Sequence, residues 1–557
     1  MHKALARRGS EGRIGAGHFR SARHLGDVRI GAERFRSARR LGDVMQPDLV
    51  IGIDCSTTAT KVIVWAVNGA PVASARRAHV VAQPHPGWHE QDAGDWWAAL
   101  TGALREISAQ IDMRRVAGLG LAHQRETFVP VDPDGRPLRD AILWMDDRAA
   151  ALLPEVDAAI GGDRFHRLTG KRLSRNLTIA KILWLRRNEP GVFAATRWYL
   201  DTHAYLVLRL TGQARTSWGS ADPTGLYDMQ AHTWQPDLLR EAGITVDQLP
   251  ELFPPGAVLG HVTAEVAAAC GLPVGLPVIS GLGDGQAAGL GAGVTGYGPA
   301  YLSLGTSVIL GAHSGAYLAD RAFRTTNSGL PGAYLLETAL MGGSYTISWF
   351  QERFGQGQPT CQVSTDLTGL NDWDEAIADL PPGAAGLMLV PYWNSVLSPH
   401  WDALASGIVV GWRGVHDGRH FYRAILEGIA FEQRLCIEGI EAATGQPIAG
   451  LIAMGGGSRS DLWRQMIADV TGKPVHRSRT SEATALGAGI LAAVGAGLFP
   501  GAREAAASMT GLEAGAAMPD PVRQEVYTRL YREVYRGLFP AVRPYLDRLA
   551  ELTIERG

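Results

Sequence analysis

The chain has 557 residues, 46% hydrophobic and 19% charged, a globular balance that excludes wholesale disorder and leaves room for two large α/β domains. Its 68 glycines follow no Gly-X-Y period, and Cys55, Cys270, Cys361 and Cys436 form no CxxC pair, so collagen, a disulfide framework and a cysteine zinc site are excluded and a reducing, cytoplasmic setting is expected. The net charge of −2 conceals a basic segment, residues 1–44 with 11 Lys and Arg against 4 Asp and Glu, ahead of an acidic body that is a poor nucleic-acid surface.

That segment is a tandem repeat. RIGAGHFRSARHLGDV (13–28) is followed by RIGAERFRSARRLGDV (29–44), and then by Met45. A basic arm for nucleic acid or a membrane surface is one reading, and an Arg-rich presequence is another. The expected one is a disordered leader with Met45 as the working start. There is no apolar h-region, which excludes a secretory signal.

Residues 48–67 (DLVIGIDCSTTATKVIVWAV) read as strand, polar turn, strand. Asn68-Gly69 supplies the next turn, and PVASARRAHVV continues as a strand. A helical period runs from Asp95 to Ile111. RVAGLGLAHQ reads as a buried strand ending at His123-Gln124-Arg125-Glu126. FVPVDPDGRPLRDAILW is strand, Pro133-Asp134-Gly135 turn, strand. Residues 300–313 (AYLSLGTSVILGAH) repeat the hairpin pattern of residues 48–67. Residues 420–442 form a long amphipathic helix. GLIAMGGGSRSDLWRQMIADVTGKPV is strand, Gly-rich turn, helix, strand. Residues 483–502 carry no charge over about the length of a bilayer span, yet their Gly and Ala content and Pro500 predict a buried helix. Two halves that open with the same hairpin predict two α/β domains of similar architecture, divided near Gly289–Gly298.

Several of these turns carry chemistry. In Asp54-Cys55-Ser56-Thr57-Thr58-Ala59-Thr60-Lys61 the short hydroxyl side chains leave backbone N–H groups free for an anion. Asp54 is placed to hold Mg²⁺ through water, and Lys61 to add charge toward a phosphate. An ordinary polar hairpin is the alternative. Leu304-Gly305-Thr306-Ser307 repeats the device. Gly455-Gly456-Gly457-Ser458 opens a helix, where a nucleotide can lie close to backbone. In Gly283-Asp284-Gly285-Gln286 the aspartate follows a buried strand and is placed to take a proton from a substrate hydroxyl; a simple turn aspartate is the alternative. Gln124-Arg125-Glu126 and Trp144-Met145-Asp146-Asp147 each end a strand. An Arg–Glu pair near a Trp suits a small polyhydroxy ligand, against a surface ion pair worth under ~1 kcal/mol. The GxGxxG match at Gly291–Gly296 stands alone, without the acidic residue a dinucleotide site needs. GxxxxGK[ST], HExxH and GxSxG are absent.

Together the motifs resemble those of the FGGY carbohydrate kinases, within the sugar kinase/Hsp70/actin superfamily, from about Leu49 to about Leu498. IGIDCSTTATK resembles the family's first phosphate motif, LSLGTS its second, MGGGSRSDLWRQMIAD its adenosine motif and AILEGIAFEQR its C-terminal signature helix. The resemblance implies an α/β fold of two RNase H-like domains flanking a central cleft. After the leader at 1–44, residues 46–293 would hold the sugar site, the base and the first phosphate motif. Residues 294–550 would hold the second phosphate motif and the adenosine site. The implied activity is transfer of phosphate from ATP, with Mg²⁺, to a primary hydroxyl of a small sugar.

The same resemblance assigns roles. Asp284 is implied as the catalytic base, and Asp54 and Asp284 as holders of Mg²⁺ through water. Asp54, Thr57, Thr58, Lys61, Gly305, Thr306, Gly456, Gly457 and Ser460 are implied at ATP. Gln124, Arg125, Glu126, Trp144, Asp146 and Asp284 are implied at the sugar. Ser56 stands where glycine is usual, so its turn is built without a free positive φ or is strained. Lys61 stands where the glycerol kinases carry Arg. HQRET is similar to the glycerol-kinase pattern, whereas ILWMDDR, LSLGTS and GGGSRSDLWRQMIAD are more similar to the xylulose-kinase branch. The expected substrate is a ketopentose such as xylulose. Glycerol, erythritol or xylitol is the rival, and a non-catalytic ATP-binding protein the remote alternative. The expected partner is a small sugar or polyol, with no nucleic acid and no membrane; a homodimer is left open.

Overall fold

The hairpin read at residues 48–67 forms as β1 (Leu49–Cys55) and β2 (Ala59–Ala66), paired antiparallel from Leu49↔Ala66 to Cys55↔Thr60. The computed structural model describes residues 47–354, 370–393 and 395–553; the leader expected at 1–44 lies outside the described residues. β3 (Pro71–Ala78) extends the meander. Helix α1 (Ala93–Ser108) starts at Asp92, whose side chain accepts from Gly94 N–H, and buries Trp96, Leu100, Leu104 and Ile107 at helical spacing. β4 (Val116–His123) runs parallel to β1, and β6 (Pro277–Gly283) parallel to β4, with β5 (Val258–His261) at the edge. The sheet order is β5-β6-β4-β1-β2-β3. Its inner strands are apolar on both faces, as strands covered on both sides must be. Helix α2 (Asp284–Gly291) leaves β6 directly. Three strands of a small four-stranded sheet, whose fourth is Glu90–Gln91, lie between β4 and β5 together with several helices, among them Thr178–Asn188.

The second half repeats the plan. β7 (Pro299–Leu304) and β8 (Val308–Ser314) form a hairpin; β9 (Arg324–Asn327) and β10 (Tyr334–Leu340) extend it. Helix α3 (Gly418–Thr444) is capped by Asp417 and ended by Gly445 in the left-handed conformation. It is longer at both ends than its apolar period predicts, because the caps lie outside that period. Next come β11 (Gly450–Met454), α4 (Asp461–Thr471), β12 (Val475–Ser478), α5 (Ala483–Gly495) and β13 (Leu512–Ala517). The order β9-β10-β8-β7-β11-β12-β13 places β11 parallel to β7, as β4 is parallel to β1. The molecule is therefore α/β with two related sheet-centred lobes.

The uncharged stretch at 483–502 forms a buried helix, as expected, over its first thirteen residues (Ala483–Gly495): α5 lies on β1 and β4 of the first sheet. Its backbone comes so near that a Cβ on Gly52 would stand 1.9 Å from Ala485 O, and one on Gly120 2.4 Å from Ala488 O. Among the described residues no helix is long and apolar enough to cross a membrane. Cys55, Cys270 and Cys436 are buried, unpaired thiols.

Candidate active site

Asp54, Arg125 and Asp284 stand at or just past the carboxyl ends of the neighbouring parallel strands β1, β4 and β6. In open α/β sheets that edge is where ligands bind. Asp284 is the first residue of α2, and its side chain is 44% exposed. Its Oδ1 forms an ion pair with Arg125, 2.8 Å from Nε, and accepts from Gly285 N–H at 2.7 Å. Both contacts fall on Oδ1. The flanking glycines belong to a strand-to-helix junction, not to a turn. A Cβ on Gly283 would lie 2.5 Å from Arg125 Cγ, and one on Gly285 2.2 Å from Glu337 Oε2.

Arg125 is buried and also bonds Glu337 of β10, on the other sheet, at 3.0 Å. Glu337 is 0% exposed and accepts further bonds from Arg324 Nε at 2.6 Å and Tyr301 OH at 2.9 Å. Burial works against its charge, but the two guanidiniums beside it hold the carboxyl down at about 2. Burial likewise opposes the charge of Arg125, and the Glu337 and Asp284 carboxylates hold it well above its ordinary value. Arg324 continues to Glu126 Oε1 at 3.4 Å. Glu126 adopts φ 58°, a left-handed conformation rare outside glycine that costs on the order of 1–3 kcal/mol. Burial raises the Glu126 carboxyl above its usual range. Glu337 and Tyr301, mid-strand, and Arg324, at the start of β9, belong to no local motif and carry no signal in the sequence.

A second network joins Thr57, Gln124, Trp144 and Gln91. Thr57 Oγ1 donates to Gln124 Oε1 at 3.0 Å and accepts from Trp144 Nε1 at 2.9 Å. Gln124 Nε2 donates to Gln91 Oε1 at 3.0 Å, and Gln91 Nε2 to Thr57 O at 2.6 Å. The Thr57 hydroxyl and carbonyl therefore face this network, and its N–H is what remains for a phosphate. Asp146 departs further from expectation. It is 0% exposed, with both oxygens taken by Arg148 at 2.8 Å and Oδ2 also by His89 N–H at 2.6 Å. No oxygen of Asp146 is presented to a ligand, so it braces the Trp144 turn. Ser56 builds its turn without positive φ: its N–H and its hydroxyl both donate to Ala59 O at 2.9 Å.

Asp54 has a buried, unpartnered Oδ1. Burial, and then the nearby charge of Asp284, raise its carboxyl to about 7. Lys61 pairs with Glu482, just before α5, at 2.8 Å. Among the described residues no group of three or more His, Cys, Asp or Glu could hold a metal by itself. An orphaned carboxylate oxygen near a second carboxylate does fit a hard divalent ion that completes its shell with water and phosphate oxygens.

The turn Gly305–Ser307 closes β7 and β8, with Thr306 exposed. It neighbours the glycine run: Gly455 has φ 82°, and a Cβ there would stand 3.0 Å from Leu304 O. Gly456 is half-buried. Gly457 is buried, and a Cβ there would meet Trp463 at 2.4 Å, so packing behind the loop demands this glycine. Ser460 is the N-cap of α4: its Oγ accepts from Trp463 N–H at 2.9 Å and bonds Asp374. Both residues shape the loop from behind. A cavity of about 310 Å³ opens beside them, lined by Asp374, Glu375, Ala378, Arg459, Asp461 and Leu462.

Two such lobes, with a carboxylate at the strand ends of one and glycine-lined turns on the other, define the class of actin-like phosphotransferases acting on small alcohols. The chain belongs to the FGGY family of carbohydrate kinases: the family's N-terminal domain matches residues 49–291 and its C-terminal domain residues 300–496. It is 30% identical to the xylulose kinase of Bacillus subtilis, covering 88% of this chain and 96% of that protein. It is 32% identical to the glycerol kinase of Alkalilimnicola ehrlichii, covering 86% and 96%. The crystal structure of xylulose kinase from Rhodospirillum rubrum superposes with a TM-score of 0.82 at 30% identity, covering 90% of this chain and all of that one. The chain is thus an ATP-dependent sugar kinase.

Proposed function

We propose that this chain moves the γ-phosphoryl group of ATP to a primary hydroxyl of a ketopentose, with xylulose the first candidate. The carrying observation is the half-exposed Asp284 carboxylate, fixed through one oxygen at the ends of three parallel strands. Relatives named xylulose kinases support the sugar. Asp284 Oδ2 takes the hydroxyl proton as the acceptor oxygen meets phosphorus. Such transfer passes a loose transition state, so positioning and charge stabilisation dominate. Arg125 fixes the base. Glu126 and Gln124 meet sugar hydroxyls, Trp144 offers its indole to C–H groups, and Asp146 acts through the Trp144 turn. Backbone N–H groups at Thr57, Thr58, Gly305 and Thr306 face the phosphates, Lys61 adds positive charge nearby, and Gly456 lines the adenosine site. Asp54 and Asp284 are the donors for Mg²⁺, which when bound neutralises phosphate charge. The lobes, 46–293 and 294–550, close to exclude water that would otherwise accept the phosphoryl group. The enzyme works in the cytoplasm.

A second reading is a kinase of glycerol or another short polyol, favoured by Gln124-Arg125-Glu126 and by relatives named glycerol kinases. A coupled ADP-release assay with D-xylulose, glycerol, erythritol and xylitol separates the two. A kcat/KM for D-xylulose about tenfold or more above the others supports the first. Turnover of glycerol alone overturns it.

A further inference from the structure

Glu126 holds its left-handed backbone with help from the first turn of helix Thr178–Asn188. Thr178 Oγ1 and Lys181 Nζ each donate to the Glu126 main-chain oxygen at 3.0 Å. Lys181 is 0% exposed. The charged groups that face it are Glu126, Asp146 and Arg148. Asp146 and Arg148 already pair with each other, and the Glu126 side chain with Arg324. Among the described residues Lys181 makes no ion pair of its own. Burial pushes its amine down to about 7. Packing alone would favour an apolar side chain of this length, because an unpaired buried amine is unfavourable. What the amine adds is one hydrogen bond, and it goes to the carbonyl of the strained residue.

We propose that Lys181, assisted by Thr178, is a positioning residue for sugar binding: it pins the Glu126 peptide so that the carboxylate is presented beside Arg324 to the acceptor's hydroxyls. The inference rests on Glu126 as a sugar contact; Lys181 itself touches no substrate. Replacing an unpaired buried amine by a methyl group of similar reach relieves desolvation, so the fold is kept while the Glu126 peptide loosens.

The test compares Lys181→Met, Thr178→Val and Glu126→Gln, using whichever of D-xylulose, glycerol, erythritol and xylitol turns over fastest. Lys181→Met is expected to raise sugar KM, and the calorimetric sugar Kd without ATP, about tenfold or more. Its kcat and ATP KM stay within about threefold, and its thermal midpoint is not lowered. Thr178→Val shifts sugar Kd in the same direction by less, and decides the matter if Lys181→Met does not fold. Sugar Kd unchanged in the lysine variant but weakened in Glu126→Gln overturns the proposal alone. Sugar Kd unchanged in Glu126→Gln overturns the reading of Glu126 beneath it. Equal rises in sugar and ATP KM with a lowered midpoint mark a merely structural lysine and also overturn the proposal.

Discussion

Arg125 Nε lies 2.8 Å from Asp284 Oδ1, and the same guanidinium reaches Glu337 on the opposite sheet at 3.0 Å. The orientation of the Asp284 carboxylate is thereby tied to a residue of the other lobe. Any motion that carries β10 relative to β6 acts on Asp284 through this arginine. In the proposed mechanism this pairing sets the rotamer and leaves one carboxylate oxygen for the incoming hydroxyl.

Asp284→Asn tests the base without disturbing this frame. Asparagine keeps an oxygen for Arg125 and Gly285 N–H but cannot take a proton at neutral pH. Turnover is expected to fall by a factor of about a hundred to ten thousand, with ATP affinity nearly intact. A variant still within about tenfold of the parent enzyme removes Asp284 from the mechanism.

Glu337 gives a pH signature. Its folded-state carboxyl sits at about 2, below the ordinary 4.5. A depressed acid contributes stability that is present above pH 4.5 and lost as pH falls toward 2. Glu337→Gln should lower the thermal midpoint at pH 7 and narrow its difference from the parent between pH 4.5 and 2. Arg125→Leu leaves Glu337 with one guanidinium and should cost about 3–5 kcal/mol at pH 7. Equal denaturant midpoints for Arg125→Leu and the parent would contradict the pairing.

Gly285→Ala places a methyl 2.2 Å from Glu337 Oε2 and 3.0 Å from Arg125 Nη2. The carboxylate must yield, and the arginine that holds the base shifts with it. The expected loss is about 1–3 kcal/mol of stability, as for overpacking elsewhere, together with a kcat drop larger than any change in ATP KM. Unchanged kcat would show that the base tolerates movement of its arginine.

What the sequence made legible was local. The two hairpins, with turns at Ser56–Thr58 and Gly305–Ser307, follow from apolar runs broken by small polar residues, and α5 from an uncharged Gly/Ala stretch too compact for a span. The same locality misled. Gly283 and Gly285 read as turn formers, but their side-chain space is filled by Arg125 and Glu337, contributed from far along the chain. Ser460 stood in a motif implying adenosine contact, yet its place just before a helix makes it a cap. Asp146 lay beside a promising Trp, but Arg148, two residues on, closes on it. Partners such as Glu337 and Arg324 carry no signal of their own, because a charge on a strand becomes meaningful only once the two sheets meet.

Glu432, on α3, reports on the second lobe's core. It is 1% exposed and accepts from Tyr392 OH at 2.9 Å and Tyr535 OH at 2.8 Å. Burial raises its carboxyl from 4.5 to about 7 against the pull of those two hydroxyls. A raised acid favours the folded state fully below pH 4.5, and that contribution declines as pH climbs through 7. Glutamine removes the charge. Its oxygen can accept from Tyr392, and its amide can donate to Tyr535, whose own hydrogen turns to Gly428 O at 3.2 Å. Glu432→Gln should match the parent near pH 4 and be more stable at pH 8 by about 1–3 kcal/mol. Calorimetric midpoints taken across that range check it. Parallel curves for the two proteins would mean that the buried carboxyl does not change protonation in the folded state.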